Sequence, residues 1–442
     1  MQPPCAAAAR IRVTPQFVVA FDLNGPQLFN PIDGGSETCS SRPRDMHSMT
    51  TSSCQRMIEI RDRLNGPPVL TLGGANIEHG YRIQGKYSPD KKYSSDPLPR
   101  LAGGSSLNHA SRLLALGIDV HPVLPLAKAD GMTRLITAAL DRAATSGGSK
   151  FRRKELEIRG DGLTTPFTTI IRQADSRASF NEFSPELMTR FSDHVDRHLE
   201  ALQGSRRPPR VTMLGHVHAD RAAPGKHDIG FSGEITDRIL KARALTNSRT
   251  FVNFGSAQYS LGARRWSETL RDHVDVFQLD ISEARQFCRD ADICDLSLES
   301  LLGWFRERCT VVVSLERFGA IGQLAGSSHA VAAWPYLIDS VSDSTGAGDA
   351  MGAGIVASML AQPFENEKDD DLLRQKNFSE ALAFGRVCGA YACTTLGGAS
   401  DCPTLEDLEK FERHMHFHRP DHGPNQAVTS HELLLIDRAF EH

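Results

Sequence analysis

The chain has 442 residues, 40% of them hydrophobic and 24% charged, enough to bury a large core in one sizeable domain with a small appendage. A net charge of -4 with both signs interspersed offers no basic field to hold nucleic acid or an anionic membrane. No apolar run reaches the length of a bilayer span, since even the valines at 311–313 are soon followed by Glu316 and Arg317, and nine cysteines without a Cys-x-x-Cys pair fit reduced thiols in the cytoplasm better than a disulfide framework or a zinc site.

Residues 1–66 are rich in Pro, Ser, Arg and Cys and lack apolar periodicity, so a disordered or non-native extension is expected there, with Met46, Met49 and Met57 as alternative starts. Val69–Leu72 is β-type and ends at Gly73-Gly74-Ala75-Asn76-Ile77-Glu78, as a first buried strand leading into a site loop does. The segment 79–100 is polar with scattered tyrosines, which suits the edge strands of a lid. Next comes Gly103-Gly104-Ser105-Ser106-Leu107-Asn108, followed by apolar residues at helical spacing up to Gly117. These glycines admit a ligand close to the backbone, and the Asn108 amide can both donate to and accept from a polyol.

Strands are then expected near 120–126, 165–172, 178–183, 211–214, 250–254 and 274–279, with helices near 132–143 and 234–244. Such alternation predicts a mostly parallel sheet covered by helices on both faces. Asp280-Ile281-Ser282-Glu283 has the spacing of a helix N-cap with a carboxylate three residues on, which by itself needs no metal. Residues 309–315 read as a buried strand and 331–338 as another, the charge run 365–371 as a solvated insertion, and 378–395 as a helix. The alternating His414, His416 and His418 lead into a C-terminal tail, 416–442, and are left out of the site.

Asp343-Ser344-Thr345-Gly346-Ala347-Gly348-Asp349-Ala350 lies where a strand gives way to the small and apolar residues 351–360, and reads as a loop opening a helix. For a phosphate arriving there, Gly346 and Gly348 let the backbone come close, while the free N–H groups of the first helical turn and the positive end of the helix dipole hold the anion. Asp349, in the same turn, can take a proton from an attacking hydroxyl. A tight turn with a carboxylate at a helix N-terminus would account for Gly346-Ala347-Gly348-Asp349 alone; the full eight resemble the C-terminal signature of the ribokinase-like (PfkB) carbohydrate kinases.

That resemblance spans roughly 69–411 and implies an α/β fold, the ribokinase-like three-layer sandwich with a mostly parallel central sheet and a small β lid. The kinase domain would occupy 67–415, with lid segments near 79–100 and 164–183 through which a homodimer would form. The implied reaction is transfer of the ATP γ-phosphate to a hydroxyl of a small sugar, with Asp349 as base and Gly346, Ala347 and Gly348 as anion hole. Gly103, Gly104 and Asn108 match the family's N-terminal signature at the acceptor, and Glu78 stands where the family has a carboxylate, usually Asp. Asp280 and Glu283 correspond to the family's Asn-x-x-Glu near magnesium, held through water, with Asp280 in place of Asn. Ser314 and Gly319, with Gly346 and Gly348, would line the nucleotide, although Glu316 replaces a family glycine. Asp343, Thr345 and Gly398 would hold a monovalent cation, potassium.

Two alternatives remain. Gly103-Gly104-Ser105-x-x-Asn108 also looks like the adenosine kinases, so a nucleoside is a rival acceptor; the substitutions at Glu78, Asp280 and Glu316 support a sugar- or nucleotide-binding homologue without turnover. A free sugar is favoured because 79–100 carries Tyr81, Tyr87 and Tyr93 but no Phe or Trp to stack on a base, and Ser105 in place of Lys argues against a sugar phosphate.

Overall fold

Short, uninterrupted apolar runs set the centre of the molecule. In chain order the strands are β1 (Val69–Leu72), β2 (Asn76–Ile83), β3 (Ser95–Gly103), β4 (Val120–Val123), β5 (Leu126–Ala127), β6 (Glu157–Ile158), β7 (Phe167–Gln173), β8 (Ser176–Glu182), β9 (Val211–Leu214), β10 (Arg249–Asn253), β11 (Val276–Asp280), β12 (Thr310–Ser314), β13 (Ala320–Gln323), β14 (Ala330–Ala333) and β15 (Asn425–Val428). β1, β4 and β9 are buried at every position, the mark of strands covered on both faces. The computed structural model describes residues 52–59, 61, 69–83, 92–128, 130–153, 155–173, 176–203, 205, 207–217, 233–243, 247–336, 338, 340–364, 370–415, 425–428 and 430–440.

Nine strands form one sheet in the order β15-β14-β13-β12-β11-β10-β9-β1-β4. From β4 to β12 the pairing is parallel, with Val69 opposite Val120, Leu72 opposite Leu214 and Val276 opposite Thr310. β13, β14 and β15 complete it antiparallel. The helices are α1 (Ser53–Glu59), α2 (Ser105–Ala115), α3 (Gly131–Gly147), α4 (Pro185–Gln203), α5 (Glu234–Lys241), α6 (Ser256–Tyr259), α7 (Gly262–His273), α8 (Ile281–Phe287), α9 (Leu298–Arg306), α10 (Ala347–Ala361), α11 (Asp371–Ala392), α12 (Leu405–His414) and α13 (Ser430–Ala439). One face of the sheet packs α2, α3, α10 and α11 through side chains such as Leu113, Leu140, Ile355 and Phe384. The other packs α4, α7, α8 and α9 through Phe191, Trp266, Phe287 and Phe305. The fold is thus the expected three-layer α/β sandwich.

A second sheet, in the order β3-β2-β7-β8, stands apart from the first. β2 pairs with β3 antiparallel and with β7 parallel, and β7 and β8 form a hairpin. Its strands fall in and around the two expected lid segments.

Both ends of the chain depart from expectation. The extension was placed at 1–66, and residues 1–51 lie outside the described residues, but 53–59 form α1 with Cys54 and Met57 buried. The N–H groups of Ser53 and Cys54 donate to the Glu412 carboxylate at 3.2 and 2.9 Å, and Arg56 pairs with Glu380. A helix of seven residues is too short to announce itself by periodicity; tertiary contacts make it. The tail expected at 416–442 also contributes structure: β15 covers the edge of β14, with Val428 opposite Ala330, and α13 buries Leu433 and Ile436. The Asp437 carboxylate accepts from the first N–H of α9, at Leu298, at 2.6 Å and from Arg285 at 2.9 Å. His416 and His418 lie outside the described residues. No described helix is long and apolar enough to cross a membrane.

Candidate active site

The loop 343–350 does open a helix. Gly346, at φ 78°, is the N-cap of α10, and a Cβ there would lie 2.7 Å from the Cα of Gly398 and 3.2 Å from Nδ2 of Asn108, so both the backbone angle and the close packing call for glycine. The first-turn N–H groups of α10 have no acceptor within the helix. Beside them the Cβ direction of Gly348 is open, the nearest atom being Nε2 of Gln278 at 3.6 Å. Gln278, from β11, donates to the Gly348 carbonyl at 2.8 Å and fixes this turn to the centre of the sheet. Ala347 donates its N–H to the Ser344 carbonyl at 3.2 Å, and the N–H groups that follow it, over an open glycine, fit a phosphate group.

Asp349 sits in that turn with 15% of its side chain exposed, and α2 supplies both of its neighbours. Asn108 Nδ2 donates to Oδ2 at 2.6 Å, and His109 Nε2 lies 3.4 Å from Oδ1. The position of α2 follows from its first residues: the Ser106 hydroxyl donates to the Leu72 carbonyl at the end of β1, and the Ser105 hydroxyl accepts from the His216 N–H just past β9 at 2.7 Å. Asn108, assigned from the sequence to the acceptor, uses Nδ2 to hold the carboxylate, wedged between Gly346 and Gly398, while its Oδ1 has no partner among the described residues. Gly398 packs on this amide: a Cβ there would lie 2.3 Å from Nδ2. His109 is fully buried, and burial pushes its imidazole down to about 4 against the opposing pull of Asp349.

Glu78 and Gly103 meet across the β2–β3 pair. A Cβ on Gly103 would stand 2.6 Å from Glu78 Oε1, so the carboxylate lies over bare backbone beside the N-terminus of α2. Gly104, at φ 97°, is the N-cap of that helix.

On the nucleotide side, Asp280 and Ser314 are register partners at the carboxyl ends of β11 and β12, where open α/β sheets bind ligands. Asp280 and Glu283 form a complete capping box: Asp280 Oδ1 accepts from the Glu283 N–H at 2.7 Å, and Glu283 Oε2 accepts from the Asp280 N–H at 2.9 Å. Burial, with Asp280 and Asp349 as further negative neighbours, raises Glu283 to about 7. A divalent cation would relieve that crowding of carboxylates, so the residues fit magnesium, held through water because their first oxygens are engaged in the cap. Glu316, where a glycine was expected, has φ 50°, a left-handed backbone that favours glycine; Gly319 follows at φ 94°.

The monovalent-cation site is not reproduced. Asp343 Oδ1 accepts from the N–H of Thr345 at 3.1 Å and from its hydroxyl at 2.7 Å, while Oδ2 accepts from Arg172 Nη2 at 2.9 Å and from the Gly397 N–H at 3.3 Å. Burial works to raise the Asp343 carboxyl, and the hydrogen bonds from Arg172 and Thr345 outweigh it, holding it below the usual carboxylate range. A guanidinium fills the cationic place, and potassium does not fit at Asp343.

Sequence reasoning missed Arg172, His109 and the two serines. His109 directly follows Asn108 in the motif and could have been read with it. Arg172 carries no local signal, because its partner is 171 residues away.

Residues 238–405 match the sequence pattern described as pfkB family carbohydrate kinase. A protein of Dictyostelium discoideum described as an uncharacterized sugar kinase is 34% identical over 73 residues, which is 16% of this chain and 17% of that relative. The chain thus spans under a fifth of the curated relative it matches. Among solved structures, Arabidopsis thaliana ribokinase complexed with ribose and ATP superposes with a TM-score of 0.56 at 16% identity, over 79% of this chain and 99% of that one. The nucleoside kinase of Methanocaldococcus jannaschii, an archaeal member of the ribokinase family, gives 0.56 at 12% identity, over 79% and 99%. At these identities the likeness is one of fold.

Proposed function

We propose that this chain, which has the ribokinase fold and carries the pfkB carbohydrate kinase region in residues 238–405, is an ATP-dependent kinase that phosphorylates a hydroxyl of a small sugar. One arrangement carries the reading: Asp349 is held at one oxygen by Asn108, with His109 against the other, in the first turn of a helix whose N–H groups have no partner within the helix. A structural loop has no use for a carboxylate held this way beside an anion cradle.

In the proposed reaction Asp349 takes the proton of the acceptor hydroxyl as its oxygen attacks the γ-phosphorus in line. The first-turn N–H groups at Gly348 and Asp349 stabilise the charge growing on the transferring phosphoryl, Ala347 braces the turn through its N–H bond to the Ser344 carbonyl, and Gly346 lets the phosphoryl come close. Magnesium, when bound, would neutralise the nucleotide phosphates, its water shell held by Asp280 and Glu283. Glu78, lying over Gly103, accepts hydrogen bonds from acceptor hydroxyls and sets which one faces Asp349. Ser314 and Gly319 border the nucleotide at the ends of β12 and β13. Most of the rate then comes from placement and charge.

The test is a panel of free sugars and nucleosides with purified protein, ATP and magnesium, following ADP release. Turnover on one or more sugars is expected. Turnover on a nucleoside and on no sugar would move the assignment to a nucleoside kinase, and ATP binding without turnover on any acceptor would make the chain a non-catalytic binder.

A further inference from the structure

Far along the sheet from the phosphate loop, at its β4 end, the histidines of a strand and a helix converge on one carboxylate. His121, on the edge strand β4, points to the face covered by α4 and is 2% exposed, yet neither of its ring nitrogens has a hydrogen-bond partner. His198, on α4, is also buried, and its ring meets that of His121 edge to face at 5.0 Å between centroids. Glu155, in the segment between α3 and β6, sends Oε2 to 3.5 Å from His121 Nε2 and 3.8 Å from His198 Nδ1. One ligand atom from each of the three lies within 4.8 Å of the others.

These separations are too long for hydrogen bonds, which run to about 3.2 Å between nitrogen and oxygen. They are close to the spacing, roughly 3.3 to 3.4 Å, of two ligands that share a tetrahedral ion at bond lengths near 2.0 to 2.1 Å. The ring of His198 is held from both sides: its Nε2 lies 3.2 Å from Nε2 of His194, one helical turn earlier, the Glu155 backbone hydrogen-bonds the imidazole, and Nδ1 is turned toward the Glu155 carboxylate. Arg152 also approaches Glu155 Oε2, at 3.8 Å, but both side chains are about half exposed and the contact is loose.

We propose that His121, Glu155 and His198 bind one divalent transition cation, zinc by the chemistry of the donors, with His194 as the positioning partner of His198. Two imidazoles and a carboxylate suit zinc and its neighbours rather than magnesium or calcium, which take oxygen ligands. Three protein ligands leave a fourth position for water. The ion would fasten three separate pieces, the edge of the main sheet, the segment around Glu155, and α4, which directly follows the lid strand β8. Its function would be structural, because none of the phosphate-loop residues takes part.

The test uses the full chain, free of any affinity tag, stripped with a chelator and without nucleotide. His414, His416 and His418 are replaced by alanine throughout, so that the tail cannot contribute ligands. Zinc is titrated in competition with a chromogenic chelator, and cobalt is followed by its visible absorption. One equivalent of zinc at micromolar affinity or tighter is expected, with the intense visible bands of tetrahedral cobalt and a higher melting temperature on loading. Glu155→Gln, at an exposed position that folding tolerates, should weaken zinc by at least roughly tenfold. His198→Gln should abolish the cobalt bands while circular dichroism stays unchanged. Absence of stoichiometric zinc in the parent chain would overturn the proposal, and so would equal affinity in the parent and Glu155→Gln chains.

Discussion

Asp349 shares its small space with the Asn108 amide and the neutral His109 imidazole. Asp349→Asn should keep nucleotide binding and lose roughly two to four decades of turnover, the span usual for removing a general base; steady-state transfer with ATP titration of both forms checks it, and a near-parental rate would remove Asp349 from the mechanism. His109, its neighbour, is fully buried with its imidazole pushed down from 6.5 to about 4 by desolvation, so the unfolded chain takes up a proton before the folded one does. Its contribution to stability is therefore complete above pH 6.5 and is lost as the pH falls to about 4, a swing on the order of 3 kcal/mol. Denaturant unfolding at several pH values should show that slope in the parent and a shallower one in His109→Gln. Glu316 is a third case: at φ 50° it bears the left-handed strain that a glycine would not, on the order of 1 kcal/mol. Glu316→Gly should leave the melting temperature unchanged or raise it slightly, whereas a marked drop would mean that the glutamate side chain has a structural partner worth more than the strain.

At the scale of elements, α1 tests how far the fold reaches toward the N-terminus. A chain beginning at Ser52 keeps the helix; one beginning at position 60 exposes the surface that Cys54 and Met57 cover and leaves the 9%-exposed Glu412 without its two N–H donors. The second should be less stable by roughly 3 to 5 kcal/mol, judged from the apolar side chains uncovered and a buried carboxylate losing partners. Denaturant melts of the two chains decide it, and equal midpoints would show that α1 adds nothing. This segment reads as an extension while β1, β9, β10 and β12 are plain in the sequence, and the difference is physical. A strand buried on both faces writes its position as a continuous apolar run, whereas α1 owes its helix to Glu412 and Glu380, more than three hundred residues away. α4 was legible and went unread: its stripe of Leu187, Phe191, Val195 and Leu199 recurs every four residues with charged residues on the other face, the pattern of an amphipathic helix. The site divides in the same way. The glycine loop and Asp349 are legible because one local turn contains their chemistry, while the Asn108–Asp349 bond joins residues 241 apart and so could not be read from spacing.

Across the whole molecule, the two sheets are tied together where the chemistry is proposed to occur. Arg172 belongs to β7 of the smaller sheet, and Asp343 belongs to the loop that leaves the main sheet for α10, so their 2.9 Å ion pair joins the lid to the phosphate loop. Asp343 is 5% exposed and Arg172 27%, which shields the pair from solvent far more than a surface salt bridge. A guanidinium is permanently charged and forks across two acceptors, so it can do structurally what a bound cation would do at this carboxylate, without depending on the salt around it. Turnover should therefore be the same in potassium, sodium or tetramethylammonium chloride at constant ionic strength. Arg172→Ala would leave a buried carboxylate without its cation; that variant should be slower, and potassium should recover part of the loss where tetramethylammonium, too large and without hydration to exchange, does not. Strong potassium stimulation of the unaltered chain would mean that a monovalent ion displaces the guanidinium during turnover, and the built-in cation would have to be given up.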